Sequence, residues 1–244
     1  MVGVVIFAGG IGQRMKSNDI PKQFLKVEGK TIISRTIEHF EKHPMVDFIV
    51  VSCIETWMDE LKRELAEADV KKVTSIVPGG ASGYQSIHNG LMKVAEKASG
   101  KDIVLICDGV RPMLSEQLIT TCIEDARKYE TAVPVTPSID SVLYSEDGVN
   151  CSKSYERKKM FITQAPQGYT MDKILWAHEQ AEKKNLDPVS SGELLLELGE
   201  DIHIFQGIRE NIKVTTPEDL HALRANQYYG HFKEFAKELV QYDL

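Results

Sequence analysis

The first strand of the chain ends abruptly in glycines, and this junction constrains the fold more than any other stretch. Residues 4–8 are apolar and largely β-branched, which is typical of a strand buried in a parallel sheet. Gly9, Gly10 and Gly12 follow, so the chain leaves the strand as a loop of bare main chain. Open α/β sheets bind ligands at such strand ends, and we predict a binding site here.

Two cations accompany this loop, and they indicate the kind of ligand. Arg14 can act as a planar fork on phosphate oxygens and Lys22 as a point charge, beside main-chain N–H groups that favour anions. We predict a phosphate or nucleotide site; the alternative is a tight turn with two solvated charges. Two familiar motifs do not fit. A dinucleotide fingerprint needs glycine or alanine at Met15, and a P-loop needs Gly-Lys-Ser/Thr, whereas Gln13 follows Gly12.

Composition excludes several classes of partner. The net charge of −7 argues against nucleic acid and anionic membranes, because no excess of cations is present to replace counterions. No stretch approaches about 18 uninterrupted apolar residues, and the N-terminus has no leader pattern. The four cysteines are scattered without zinc spacing. We therefore expect a reduced, cytoplasmic protein.

Strand and helix patterns alternate along most of the chain. This alternation predicts an α/β fold: a Rossmann-like, mostly parallel sheet with helices on both faces, in a single domain spanning residues 1–244. The predicted strands cover residues 47–53, 73–77, 102–107, 132–135 and 202–205 after the first. The predicted helices cover residues 31–43, 57–68, 85–97, 115–128, 171–184, 192–199 and 217–240.

Residues 136–163 interrupt the alternation. Pro137, an acidic turn at 145–148 and the charged run 156–159 separate short strand-like pieces, which predicts a hairpin projecting from the sheet. An apolar face on such a β-arm has nothing within its own span to pack against. We predict that the arm either dimerises or covers a substrate.

A second glycine loop follows the strand at 73–77. Gly80 and Ala81 allow close approach of the main chain to a planar base or ribose, and Ser86 can hydrogen-bond it. A glycine-rich turn with a capping serine is the structural alternative.

Two charged residues stand near other strand ends. Asp108 follows the strand at 102–107 and is placed to hold a hard cation such as Mg²⁺, unless it is a helix cap paired with Arg111. Lys213 lies on a predicted short strand at 211–216 and points to the same sheet edge; its alternative is a solvated charge.

Together these motifs resemble one family over nearly the whole chain. The family is that of the cytidylyltransferases acting on polyol phosphates, the 2-C-methyl-D-erythritol 4-phosphate and ribitol-5-phosphate cytidylyltransferases. The matching segments are Ala8-Gly9-Gly10-x-Gly12-x-Arg14-Met15, Pro21-Lys22-Gln23-Phe24, Gly79-Gly80 with Ser86, Asp108-x-x-Arg111-Pro112, Ala165-Pro166-Gln167 and Asn211-Ile212-Lys213-Val214-Thr215.

The resemblance implies that CMP is transferred from CTP to a sugar-alcohol phosphate, with Mg²⁺ as cofactor and release of pyrophosphate. It assigns the charge around the α-phosphorus to Arg14, Lys22 and Lys213. It assigns nucleotide binding to Ala8, Gly9, Gly10, Gly12, Gly80, Ala81, Ser86 and Asp108, and the metal to Asp108. It assigns acceptor binding to Arg111, Ser141, Arg157 and Ala165, with Arg157 supplied by the arm of a partner subunit in a homodimer.

Departures from the family pattern lie mostly on the acceptor side. They are Cys107 for a histidine, Gly83 for an arginine, Ala165 for a threonine, Ser190-Ser191-Gly192 for Thr-Asp-Glu and Leu143 for a lysine. Methylerythritol phosphate and ribitol 5-phosphate are therefore both candidate acceptors. Two rival functions stay open: an NAD(P)-dependent reductase, disfavoured by Met15, and a non-catalytic nucleotide-binding protein on the same fold.

Overall fold

The computed structural model describes residues 1–10 and 20–226. Its strands are β1 (Val2–Ala8), β2 (Lys26–Val27), β3 (Lys30–Thr31), β4 (Phe48–Cys53), β5 (Val73–Pro78), β6 (Ile103–Asp108), β7 (Thr131–Pro137), β8 (Leu143–Tyr144), β9 (Lys153–Ser154), β10 (Phe161–Thr163), β11 (Gln167–Thr170) and β12 (Ile204–Gln206). Its helices are α1 (Ile32–Lys42), α2 (Met58–Glu67), α3 (Gly83–Val94), α4 (Glu116–Tyr129), α5 (Met171–Lys184) and α6 (Ser191–Glu197), with a further helical segment at 217–226.

Eight strands form the central sheet, in the order β10-β7-β11-β6-β1-β4-β5 with β12 also pairing with β7. The pairs around β1 are parallel, whereas β11 runs antiparallel to both β6 and β7. The predicted α/β class with a mostly parallel sheet is therefore confirmed. The sequence pattern does not predict β11, because four residues are too few to display an alternation.

Apolar side chains on the two faces of β1 explain why helices cover both sides of the sheet. Val4 and Ile6 pack with residues of α1, α2 and α4, whereas Val5 packs with residues of α3, α5 and α6. All three are 0% exposed, and burying each stabilises the fold by roughly 1.5–3 kcal/mol. Successive side chains of this central strand point to opposite faces of the sheet, so the sheet packs against a layer of helices on each side.

The register of the parallel strands brings their carboxyl ends to one edge of the sheet. Phe7 lies opposite Asp108, and Ala8 lies opposite Cys53, which in turn is level with Pro78. Two main-chain hydrogen bonds extend this alignment into the loops: Gly79 N donates to Cys53 O at 2.7 Å, and Gly109 N donates to Phe7 O at 2.9 Å. The loops after β1, β5 and β6 are consequently neighbours.

The segment between β7 and β10 contains a small hairpin. β8 and β9 pair with each other, while β10 returns to the main sheet beside β7. Exposed apolar residues occur along this arm, namely Ile139, Leu143, Tyr144, Val149, Tyr155, Phe161 and Ile162. The dimerising role predicted for the arm, and the description of residues 1–244 as one domain, stay predictions.

The strand predicted at 211–216 is wrong. These residues are irregular, and the contact of Val214 N with Val110 O, at 2.9 Å, is a single hydrogen bond to the loop after β6. The following helix begins at residue 217, as predicted, and the predicted end at residue 240 lies outside the described residues. In the described part of the chain, no helix combines the length and apolarity that crossing a bilayer requires.

Candidate active site

Two adjoining clefts open at the carboxyl edge of the sheet. The glycine cleft, about 300 Å³, lies between the loops after β1 and β5. The wide cleft, about 500 Å³, lies between β6, the start of β11 and residues 189–193. Phe7, Asp108 and Lys213 line both clefts, so the two spaces share one wall.

Most of the predicted nucleotide residues meet in the glycine cleft. The loops after β1 and β5 supply Ala8, Gly9, Gly10, Gly80, Ala81 and Ser86 to its lining. Lys22, Asp108 and Lys213 complete the group, so residues from five parts of the chain surround one space. Gly12 and Arg14 lie outside the described residues.

The two glycine loops are in direct contact. A Cβ on Gly9 would lie 2.4 Å from Ser86 Oγ, and a Cβ on Gly79 would lie 2.8 Å from Gly9 Cα. No larger residue fits at either position without displacing the opposite loop. The glycines are therefore required by this close approach of main chain to main chain.

Ser86 holds the second glycine loop in shape. Its hydroxyl, buried at 2% exposure, accepts a hydrogen bond from Gly80 N at 3.0 Å and donates one to Ser82 O at 2.9 Å. Ala81 N in turn donates to Gln85 Oε1 at 2.9 Å. The N–H groups of Gly80 and Ala81 are thus engaged, and the Ser86 hydroxyl keeps one acceptor lone pair.

Gln23 ties the first glycine loop to the segment that carries Lys22. Its side-chain amide is buried and donates to Ala8 O at 2.7 Å and to Gly10 O at 3.0 Å. Gln23 belongs to a single 3-10 turn, Lys22–Phe24, whose Phe24 stacks on Trp57. The sequence motif contains Gln23, but its pairing with main-chain carbonyls is visible only in three dimensions.

Asp108 stands between two cations at the shared wall. Arg111 Nε lies 2.8 Å from Asp108 Oδ2, and Lys213 Nζ lies 2.5 Å from Oδ1. Burial of the carboxyl group opposes its charged form, but the ion pairs with Arg111 and Lys213 outweigh this and lower the pKa of Asp108. Asp108 is therefore ionised at neutral pH and holds Lys213 in place.

Asn211 anchors the irregular segment that presents Lys213. Its side-chain amide donates to Ala165 O at 2.6 Å, while its own carbonyl accepts from Arg111 at 3.0 Å. Gln164 Nε2 also approaches this carbonyl, at 3.3 Å. Asn211 is 1% exposed, so these bonds form in a dry environment where losing one partner is costly.

Asp108 is the one carboxylate among the described residues that line the glycine cleft. Magnesium in nucleotide enzymes is commonly bound by one or two carboxylates together with phosphate oxygens, and this donor set fits such an ion. Both carboxylate oxygens are paired with cations, so a metal held here would share the Asp108 carboxylate with Arg111 and Lys213. Nowhere in residues 1–10 and 20–226 do three or more ligating side chains form a cluster that holds a metal alone.

The predicted acceptor residues are divided between the wide cleft and the arm. Arg111 and Ala165 line the wide cleft. Ser141 and Arg157 lie on the arm and line neither cleft, and the Arg157 guanidinium donates to Ile139 O at 3.2 Å within the arm.

Cys107, beside Asp108, is fully buried, and its pKa is raised by burial and by the aspartate charge, so its thiol is a neutral packing group.

Comparisons with known proteins show which family the chain is similar to. The family model of 2-C-methyl-D-erythritol 4-phosphate cytidylyltransferase (IspD) matches residues 2–229. A ribitol-5-phosphate cytidylyltransferase of Vibrio parahaemolyticus is 36% identical over 222 residues, covering 91% of this chain and 93% of the relative. A 2-C-methyl-D-erythritol 4-phosphate cytidylyltransferase of Clostridium acetobutylicum is 36% identical over 220 residues, covering 89% and 93%.

A solved structure supports the same assignment at the level of fold. The 2-C-methyl-D-erythritol 4-phosphate cytidylyltransferase of Thermus thermophilus superposes with a TM-score of 0.71 at 26% identity, covering 91% of this chain and 96% of that one. Family model, relatives and structure all span nearly the whole chain. The chain therefore belongs to the 2-C-methyl-D-erythritol 4-phosphate cytidylyltransferase family and is a nucleotidyltransferase.

Proposed function

We propose that the chain transfers CMP from CTP to the phosphate of a polyol phosphate, either ribitol 5-phosphate or 2-C-methyl-D-erythritol 4-phosphate. One observation carries the proposal: Lys22, Asp108 and Lys213 line the same glycine cleft, and that cleft shares a wall with a second one. CTP occupies the glycine cleft and the polyol phosphate the wide cleft, so the reacting groups meet beside Asp108 and Lys213. Because CTP is an intracellular substrate, we place this reaction in the cytoplasm.

The reaction is an in-line displacement at phosphorus. A phosphate oxygen of the acceptor attacks the α-phosphorus of CTP, and the bond from this phosphorus to the oxygen bridging to the β-phosphate breaks. The pyrophosphate leaves with the electron pair of that bond. Lys22 and Lys213, together with Arg14, stabilise the negative charge that grows on the phosphate oxygens, while Asp108 orients Lys213.

Mg²⁺ is the proposed cofactor, held by Asp108 and the phosphates of CTP. Bound there, the ion would neutralise charge on the triphosphate and on the departing pyrophosphate. The donor chemistry of Asp108 described above supports this assignment.

Base selection follows from the hydrogen bonds inside the second glycine loop. The N–H groups of Gly80 and Ala81 are already donated, to Ser86 Oγ and Gln85 Oε1. At Gly80 and Ala81 the loop therefore offers acceptors to a base, and the Ser86 hydroxyl adds its remaining lone pair. Cytosine presents an amino group at C4, where uracil presents a carbonyl oxygen. An acceptor-rich loop favours CTP over UTP.

The direct test is pyrophosphate release from CTP with a panel of polyol phosphates, repeated with UTP. We expect turnover with CTP and at least one polyol phosphate, and much weaker turnover with UTP. Lys22→Ala should lower kcat by ~10²-fold or more, because a preorganised charge near the transition state is removed. Lys62→Ala, which removes an exposed lysine paired with Asp59 on α2, is the matched control. A loss below about threefold for Lys22→Ala contradicts the role of Lys22.

We also propose a homodimer formed through the arm at 136–163, in which Arg157 and Ser141 complete the wide cleft of the other subunit. The exposed apolar side chains of the hairpin and the position of both residues outside the clefts support this arrangement. Arg157→Ala should mainly raise the KM for the polyol phosphate, without changing the KM for CTP. Light scattering should give twice the chain mass of 27.4 kDa, and Leu143→Asp should reduce it. A monomer with full activity contradicts the proposal.

A further inference from the structure

One hydrogen bond joins the second glycine loop to the segment between α5 and α6. Ser82 Oγ donates to Asp187 Oδ1 at 2.7 Å, across 105 positions of the chain. Ser82 lines the glycine cleft, whereas Asp187 lines neither cleft. The bond therefore supports the glycine cleft from a part of the chain that lies outside it.

Ser82 lies where the second glycine loop passes into α3. Its Oγ accepts from Gln85 N at 3.2 Å and so caps the helix. Its carbonyl accepts from Ser86 Oγ at 2.9 Å, and Ser86 Oγ in turn accepts from Gly80 N at 3.0 Å. Gln85 Oε1 accepts from Ala81 N at 2.9 Å. The position of Ser82 consequently determines how the main chain of this loop faces the cleft.

The main chain around Asp187 is held on both sides. Asn185 caps the carboxyl end of α5 in the left-handed conformation, with φ at 53°, and Leu186 N donates to Ala181 O at 3.0 Å. Pro188 follows Asp187 and is buried, and a proline restricts the residue before it to extended conformations. A carboxylate on so constrained a segment loses little conformational entropy when it accepts a hydrogen bond.

A separate contact keeps α3 and α5 together without Asp187. Tyr84, in the first turn of α3, stacks on His178 of α5 with the ring centroids 4.8 Å apart. The Tyr84 OH also donates to His178 O at 3.3 Å. Removal of the Asp187 carboxylate should therefore release the loop at Ser82 while the two helices stay in contact.

The charge of Asp187 by itself opposes an anionic ligand. Its carboxylate accepts from a residue that lines the glycine cleft, so its negative charge is near any triphosphate bound there. Direct electrostatics would make Asp187 weaken the binding of CTP. What Asp187 contributes in favour of binding is a hydrogen-bond acceptor at a fixed place.

From these contacts we infer that Asp187 is a positioning residue for the nucleotide: it accepts from Ser82 and thereby holds the second glycine loop in the shape that binds CTP. The inference rests on the proposed function of the glycine cleft as the CTP site.

The adjoining wall of the wide cleft keeps its shape through other bonds. The Glu193 carboxylate accepts from Val189 N at 2.7 Å, and Ser190 Oγ accepts from Glu193 N at 3.2 Å. Asp187 therefore acts on the nucleotide and not on the acceptor.

The test measures binding of CTP alone by titration calorimetry, without an acceptor. For Asp187→Ala we expect the Kd for CTP to rise about 3- to 10-fold, the loss expected for one hydrogen bond. Asp187→Asn should bind CTP at least as tightly as the native protein, because its amide oxygen still accepts from Ser82 and the negative charge is gone. In steady-state kinetics, Asp187→Ala should raise the KM for CTP by the same factor and leave kcat and the KM for the polyol phosphate unchanged.

A double-mutant cycle tests whether Asp187 acts through Ser82. Ser82→Ala removes the donor and the helix cap, so it should weaken CTP binding at least as much as Asp187→Ala does. Adding Asp187→Ala to Ser82→Ala should cause no further loss, because the partner is already absent. An equal loss in both backgrounds overturns the inference.

Glu179→Ala is the matched control, since it removes an exposed carboxylate of α5 that pairs with Lys183. This variant should keep the native Kd for CTP. If Asp187→Ala and Asp187→Asn bind CTP alike, the hydrogen bond has no role and the inference is overturned while the proposed function stands. If the native protein binds no CTP, the proposed function itself fails.

Discussion

The two clefts differ in what they offer a ligand. The two glycine loops of the glycine cleft present main chain, and the side chains of Gln23, Gln85 and Ser86 are hydrogen-bonded to these loops. The wide cleft is lined by side chains such as Arg111, Gln164 and Gln167. Recognition by main chain resists substitution, whereas recognition by side chains changes with one residue. A protein of this design can therefore alter its acceptor while keeping its nucleotide.

The wall that the two clefts share carries charged groups that face both of them. Asp108 and Lys213 line both spaces, and Arg111 holds Asp108 from the side of the wide cleft. Changes at this wall should affect both substrates, and changes elsewhere should affect one.

Lys213→Ala is expected to have the largest effect, because it removes a charge from the shared wall. We expect kcat to fall by ~10²-fold or more, with the loss seen for every acceptor. Steady-state kinetics with each substrate varied in turn measure this, and Lys62→Ala again serves as the control. An effect confined to the KM of one substrate contradicts the shared wall.

Helices α3 and α5 contact each other at a seam formed by Tyr84, His88 and His178. Both clefts depend on this seam, because α3 starts at the glycine cleft and the chain after α5 forms the wall of the wide cleft at 189–193. His178, 1% exposed, stacks on Tyr84 and lies with its Nδ1 3.4 Å from His88 Nδ1, while Glu182 faces the other side of His88. Burial, with a smaller effect from His88, lowers the pKa of His178 to about 3.

This pKa makes the seam sensitive to acid. Between pH 6.5 and 3 the unfolded chain binds a proton at His178 that the folded protein does not, so stability decreases as pH falls. At pH 5 the loss from this group is about 2 kcal/mol, roughly a 30-fold change in the folded to unfolded ratio. His178→Phe keeps an aromatic ring stacked on Tyr84. In denaturant unfolding, the free energy of unfolding of this variant should fall less than that of the native protein at pH 5, by the same amount. His221→Gln, at an exposed histidine, should retain the native dependence, and equal slopes for His178→Phe and native protein contradict the assignment.

Gly80→Ala is expected to have a smaller effect, restricted to the glycine cleft. A Cβ at this position would lie 2.2 Å from Gln85 Cβ and 2.9 Å from Gln85 C, so the loop must shift. We expect the KM for CTP to rise about 10-fold, with the KM for the polyol phosphate unchanged. Gly83→Ala, where a Cβ meets nothing within 4 Å, controls for folding. Equal shifts in both KM values indicate that the clefts are not independent.

The sequence predicts the framework of the site well, because strand ends in a parallel sheet must meet at one edge. Lys22, Asp108 and Lys213 come together as predicted, although the segment carrying Lys213 is irregular rather than a strand. Arg14 and Gly12 lie outside the described residues, and their roles stay predictions.

Contacts made by buried amides and hydroxyls could not be predicted from the chain alone. Gln23 and Asn211 each bond to main-chain carbonyls of distant loops, and no local pattern reports such pairing. The same limit applies to the stacked pair of Tyr84 and His178. Sequence patterns identify which elements form, whereas these details depend on how the elements pack.

The bond from Arg111 to the carbonyl of Asn211 spans 100 positions of the chain. During synthesis on the ribosome, a nascent chain that stops before residue 211 already contains Asp108 and Arg111 but lacks Asn211 and Lys213. Such a fragment has an aspartate with one cationic partner instead of two, and its shared wall lacks Lys213. The shared wall can therefore be complete only after residue 213 has emerged.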